Sequence, residues 1–181
     1  MEAVDLPLAG LRLLKPRVFK DSRGFFLESY LEQRYRAAGV DATFVQDNHS
    51  RSTLGTLRGL HYQSHPGQAK LIRVGIGRIF DVAVDIRPDS PTFGKWHGTY
   101  LDAEEHHQLY VPIGFAHGFC VVSEVADVMY KVSNPYDAAT ECTISWNDPE
   151  IGVAWPVESP LLSARDERGE SFADYARRVT R

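Results

Sequence analysis

The chain has 181 residues, of which 43% are hydrophobic, enough for one sizeable core and short for two, so a single domain spanning 1–181 is expected. A formal net charge of −4 gives no basic footprint for nucleic acid, although local arginines can still hold a phosphorylated small molecule. The opening MEAVDLPLAG has neither a basic nor an apolar leader region, and no stretch reaches membrane-span length, so a cytoplasmic protein without membrane contact is expected.

Along the chain, the first convincing element is a helix in LEQRYRAAG, which Gly39 ends. Short strand-like runs follow: LRGLHYQ, AKLIRVGI, IFDVAVDI, WHGTYL, HQLYVP, FAHGFCVV, ADVMYKV and CTISW, divided by Gly, Pro, Asn and Asp signals. The clearest alternation is in IFDVAVDI, where Phe80, Val82, Val84 and Ile86 face one way, against a core, and Asp81, Ala83 and Asp85 the other. Cys120 and Cys142 lie within such runs without CxxC spacing and read as free thiols. A weaker helix is predicted in SFADYARRVT. These elements predict a mainly β sandwich or barrel with a few short helices, whose mouth can bring the segments around His61 and His117 together.

Taken alone, His61 in RGLHYQ reads as a hydrogen-bonded core residue. Arg58 and His61 would face opposite sides of a regular strand, but a bulge at Gly59 would aim both into one cavity. His65 beside Pro66-Gly67, and His106-His107 after two glutamates, read as solvent-exposed turn residues.

The ladder Gly55, His61, Gln63, Gln68, Gly75, then Pro112, Gly114 and His117, resembles the two cupin signatures. Metal-bearing cupins carry two histidines and a glutamate in the first signature and another histidine in the second. Here Gln63 and Gln68 stand at two of those places. Neutral amides lack the charge and donor strength that a divalent ion needs, so no metal is expected. A longer series of segments, DSRGFFLESY, QDNHS, LRGLHYQ, FDVAVDIR, SPTFGKW, VPIGFAHGF, MYK, WNDPEIGVAWP and LSARD, resembles the dTDP-4-dehydrorhamnose 3,5-epimerase family from about Asp21 to Asp166.

That resemblance implies a cupin-type jelly roll, a homodimer in which residues 1–50 contribute to the interface, and a C-terminal tail at 167–181. It implies a dTDP-4-keto-6-deoxy sugar substrate, no cofactor, and epimerisation at C3 and C5 within dTDP-L-rhamnose biosynthesis. Residue by residue, it makes His61 the base, Asp166 its partner, Tyr130 the acid and Lys70 the group beside the sugar ketone. The chemistry suits these side chains: imidazole titrates near neutrality, a phenol can return a proton, and an ammonium stabilises an enolate. It makes Arg23, Glu28, Gln46, Asn48, Arg58, His117, Tyr136, Glu141 and Arg165 substrate-binding residues, with Tyr136 stacking on the thymine.

Arg165 stands where many relatives have lysine, and the tail after Asp166 departs from their endings. Competing readings are a single-site C3 or C5 epimerase, a ketoisomerase with the same barrel, and a non-catalytic sugar-nucleotide-binding cupin. A matched base, acid and oxyanion stabiliser argue for chemistry over binding alone.

Overall fold

In a computed structural model, which describes residues 1–180, the chain forms thirteen strands and two α-helices. The first part contains β1 (Glu2–Asp5), β2 (Arg12–Lys15), β3 (Val18–Asp21), β4 (Gly24–Leu27), α1 (Glu32–Ala37) and β5 (Gln46–Thr53). The middle contains β6 (Leu57–Gln63), β7 (Lys70–Ile76), β8 (Arg78–Asp85), β9 (Trp96–Asp102), β10 (Gln108–Val111) and β11 (Phe115–Val121). The last part contains β12 (Val125–Val132), β13 (Glu141–Thr143), a 3-10 turn at Asp166–Arg168 and α2 (Phe172–Val179).

A six-stranded sheet in the order β1-β2-β10-β7-β12-β5 faces a five-stranded sheet in the order β13-β6-β11-β8-β9, while β3 and β4 form a separate hairpin. The mainly β cupin-type sandwich expected from the sequence is what forms, and α1 stops where Gly39 adopts a φ of +82°. Ile72 and Val74 of one sheet meet Ile79, Phe115, Phe119 and Val121 of the other in the central core.

The alternation of β8 is real, but its apolar side is the outer one. Phe80, Val82, Val84 and Ile86 pack under Ile144, Ile151, Trp155, Phe172 and Tyr175 of the C-terminal segment. Asp81 and Ala83 instead point between the sheets, where Ala83 joins the central core and Asp81 meets His117. Both faces of this strand are therefore buried. α2, the weaker predicted helix, is held there by Phe172 and Tyr175, with Ser171 capping its N-terminus by accepting from the Asp174 N–H.

The strand β5, QDNHSRST, carries no hydrophobic alternation. Its even-numbered residues face inward and its odd-numbered ones outward, because it borders a polar cavity rather than an oil-like core. His106 departs from expectation: it is buried, at φ +56°, with its ring 4.3 Å from that of Phe25 on the β3–β4 hairpin. The His106 ring packs on one side of Phe25, which otherwise stays exposed.

Candidate active site

The pairing of β11 with β6 runs His117 to His61 and then Phe119 to Arg58, so β6 holds one extra residue at Gly59-Leu60. This is the predicted bulge, and it turns Arg58 and His61 toward the same cavity of about 400 Å³ between the sheets. Glycine is required at the crossing: Gly59 has φ +137°, and a Cβ there would lie 2.5 Å from the Gly118 Cα.

The five-stranded sheet contributes His61 and His117 as a cross-strand pair, and the six-stranded sheet contributes Lys70 from β7 and Tyr130 from β12. Gln46, Asn48, Arg58, Tyr136, Glu141 and Arg165 complete much of the lining. Lys70 shares its strand face with core residues Ile72 and Val74, which explains how a lysine comes to be buried.

His61 Nε2 lies 2.6 Å from Asp166 Oδ1, and Asp166 is only 3% exposed. The second oxygen of Asp166 accepts from the Ser163 hydroxyl at 2.6 Å, and the Gly59 N–H approaches Oδ1 at 3.4 Å. An acceptor carboxylate at this distance places the imidazole proton on Nε2 and leaves Nδ1 with the free lone pair. Arg165 Nη2, 3.1 Å from Nε2, is then a neighbouring charge rather than a donor to that nitrogen. Its other nitrogen pairs with Glu141.

Burial lowers the His61 pKa below its ordinary value, with the Asp166 hydrogen bond opposing the shift. Burial likewise lowers Lys70, to about 8, against the charges of Glu141 and Asp81 that act to raise it. Tyr130 is raised, chiefly by burial. For Asp166, burial works upward, but the hydrogen bonds from His61 and Ser163 outweigh it and hold the carboxyl below its usual range.

A second imidazole–carboxylate contact lies deeper, His117 Nε2 to Asp81 Oδ1 at 2.8 Å, with both residues buried. The four positions that match cupin metal-ligand places are committed separately. His61 bonds Asp166, His117 bonds Asp81, and Gln68 Nε2 donates to Gln63 Oε1 at 2.6 Å. These residues do not fit a divalent metal, because two of the four are neutral amides already bonded to each other, which leaves no carboxylate and only two imidazoles as donors.

Two predicted residues stand apart from the cavity. Arg23 is an exposed hairpin residue bonded to Asp21, and Glu28 pairs with Arg34 at 2.8 Å. In the single chain their strands and connections lie outside the cavity lining, so neither meets the dyad. Conversely, sequence reading passed over Ser163 and Asp81, whose only signals were a hydroxyl three residues before Asp166 and an aspartate inside an apolar strand.

The family model for dTDP-4-dehydrorhamnose 3,5-epimerase matches residues 5–174. The chain belongs to this family. A dTDP-4-dehydrorhamnose 3,5-epimerase of Pseudomonas aeruginosa is 51% identical over 176 residues, covering 96% of this chain and 97% of its own. Its counterpart in Neisseria gonorrhoeae is 49% identical over 100% of the chain, which spans 56% of that longer relative. The Legionella pneumophila dTDP-6-deoxy-D-glucose-3,5-epimerase, solved in complex with dTDP-4-keto-L-rhamnose, superposes with a TM-score of 0.92 at 43% identity and covers 96% of each chain.

Proposed function

We propose that the chain epimerises dTDP-4-dehydro-6-deoxy-D-glucose at C3 and C5 to dTDP-4-dehydro-L-rhamnose, in dTDP-L-rhamnose biosynthesis. The observation that carries this reading is the pairing of a part-buried His61 with the buried Asp166, which opens on a cavity also lined by Lys70 and Tyr130. His61 Nδ1 takes the proton from the carbon beside the C4 ketone, and the C–H electrons pass into an enolate whose oxygen Lys70 stabilises. Asp166 stabilises the imidazolium formed, and Tyr130 returns a proton to the opposite face of the carbon. Once His61 has released its proton to solvent and Tyr130 has taken one back, the same exchange at the second carbon completes the double inversion, with no net change in atoms or electrons.

Arg58 and Arg165 offer guanidinium groups for the diphosphate, and the half-exposed Tyr136 offers a ring face for thymine. The working unit in this reading is a homodimer. The hairpin supports it by exposing Phe19, Phe25 and Phe26, at 50%, 58% and 70%, a run of apolar surface that a second copy would cover. Arg23 and Glu28 would then serve the partner's cavity. A mixture of Arg23→Ala and His61→Asn chains, each inactive alone, should recover about a quarter of wild-type activity after subunit exchange if sites are shared. No recovery despite exchange would reject sharing.

Incubation with the keto sugar in deuterium oxide, without added metal or nicotinamide, tests the reaction. Deuterium at C3 and C5 with inversion at both is expected. Exchange at one carbon would select a single-site epimerase, and dTDP binding without exchange would select a binding protein.

A further inference from the structure

The segment joining β12 to β13 carries Tyr136 on its exposed crest and Glu141 at its end. Its crest touches β5 through the Tyr136 N–H, which donates to Gln46 Oε1 at 3.1 Å, and both of its feet are pinned to residues 63–69. At the first foot, the Ser133 N–H donates to the Ala69 carbonyl at 3.0 Å, the Ala69 N–H to Ser133 Oγ at 2.9 Å, and Asn134 Nδ2 to the Gly67 carbonyl at 2.7 Å. At the second, the Ser64 N–H donates to the Thr140 carbonyl at 2.9 Å.

Two side-chain amides tie these feet together. Gln68 Nε2 donates to the Asn134 carbonyl at 2.8 Å and to Gln63 Oε1 at 2.6 Å. Gln63 Nε2 in turn donates to Thr140 Oγ1 at 3.0 Å. The chain Asn134–Gln68–Gln63–Thr140 thus spans the base of the Tyr136 segment. Gln63 is 9% exposed, so these hydrogen bonds are largely shielded from competing water. Gln63 is not part of the cavity lining, whereas Tyr136 is.

We infer that Gln63 is a positioning residue for nucleotide binding: through Gln68 and Thr140 it holds the Tyr136 segment at the height where its ring can meet a nucleobase. This rests on the epimerase reading for the identity of the ligand. The cost of losing the link falls on binding rather than on proton transfer, because His61, Asp166 and Lys70 are held by other contacts.

The experiment uses the full chain, with dTDP as the probe in calorimetry and deuterium exchange into the keto sugar as the kinetic readout. Gln63→Leu keeps the volume and removes the side-chain hydrogen bonds to Gln68, to Thr140 and, at 3.4 Å, to the Asp137 carbonyl, and Thr140→Val removes the shorter loop-side bond. Each should weaken dTDP binding and raise KM by roughly tenfold, with kcat within about twofold of wild type. Gln63→Glu, which can still accept from Gln68 and from the Thr140 hydroxyl, should recover most of the affinity. A lowered melting temperature with unchanged dTDP affinity would overturn the inference in favour of a purely structural role, as would a fall in kcat at unchanged affinity. If Gln63→Leu fails to fold, Thr140→Val alone decides. Failure of the epimerase reading would appear in the wild-type chain, as absent dTDP binding or absent exchange, whereas failure of the positioning role appears only in the variants.

Discussion

Asp166→Asn isolates the charge behind the base. The amide keeps the shape of the carboxyl, and its oxygen would remain on the His61 side, where the His61 Nε2–H and the Gly59 N–H both donate, while its nitrogen turns to the Ser163 hydroxyl. The tautomer is preserved and only the negative charge is lost. Unit charges about 4 Å apart interact by about 4 kcal/mol at an effective dielectric near 20. The imidazolium exists only after proton abstraction begins, so the loss falls on the transition state and should lower kcat by about three orders of magnitude, with KM little changed. Steady-state exchange in deuterium oxide, with circular dichroism to confirm folding, measures this. A folded Asp166→Asn chain retaining kcat within about threefold would refute the role of the carboxylate as an electrostatic partner of His61.

The pH dependence follows from the two shifted groups. His61 must be neutral and its pKa lies below 6.5, so the acid limb of kcat/KM should fall below that value, and Asp166→Asn should move it lower still by removing a contact that raises it. Lys70 must be charged and titrates at about 8, so an alkaline limb is expected there, and Lys70→Arg should abolish that limb. Gly169→Ala would place a Cβ 2.6 Å from the Ser145 N and 2.7 Å from the Ile144 carbonyl carbon, pushing outward the segment that carries Asp166. It should reduce kcat at least tenfold while leaving dTDP affinity within about threefold, and an unchanged kcat would show that the segment tolerates the shift.

Stability offers a separate check at Asp85, which accepts from Arg87, Ser90 and Thr92. Burial alone would raise its pKa, but these donors dominate and hold it at about 2. Asp85→Ala should destabilise the fold by about 3 kcal/mol in denaturant titrations, since it removes a fully buried carboxylate that accepts from Arg87, Ser90 and Thr92 and leaves those hydroxyls without their acceptor. The depressed carboxyl contributes its full stability above its ordinary value of 3.8 and loses it as pH falls toward 2, so the gap between wild type and variant should shrink across that window.

Much of the local structure was legible in the residues. Periodicity placed the strands from LRGLHYQ to ADVMYKV, Gly39 marked the end of α1, and Gly59 marked a bulge because only glycine tolerates that backbone and so close a neighbour. The pairing of His61 with Asp166, 105 positions apart, was legible only through the family motifs, since nothing local in LSARD distinguishes a buried carboxylate from an exposed one. The strand β5 was missed because its inward residues line a polar cavity, so the hydrophobic signal that reveals a strand is absent.

By itself the sequence determined that β8 has two unlike faces. It could not determine which face looks inward, because alternation reports a difference between faces and not what covers them. That was decided by residues 144–175 returning over the outer surface of the five-stranded sheet, which buries Phe80 through Ile86 on one side and frees Asp81 to meet His117 on the other. The same return carries Ser163, Arg165 and Asp166 to His61. Composition supplies the chemical groups, but the distance between a base and its carboxylate is a property of long-range packing, and only the tertiary structure brings it to 2.6 Å.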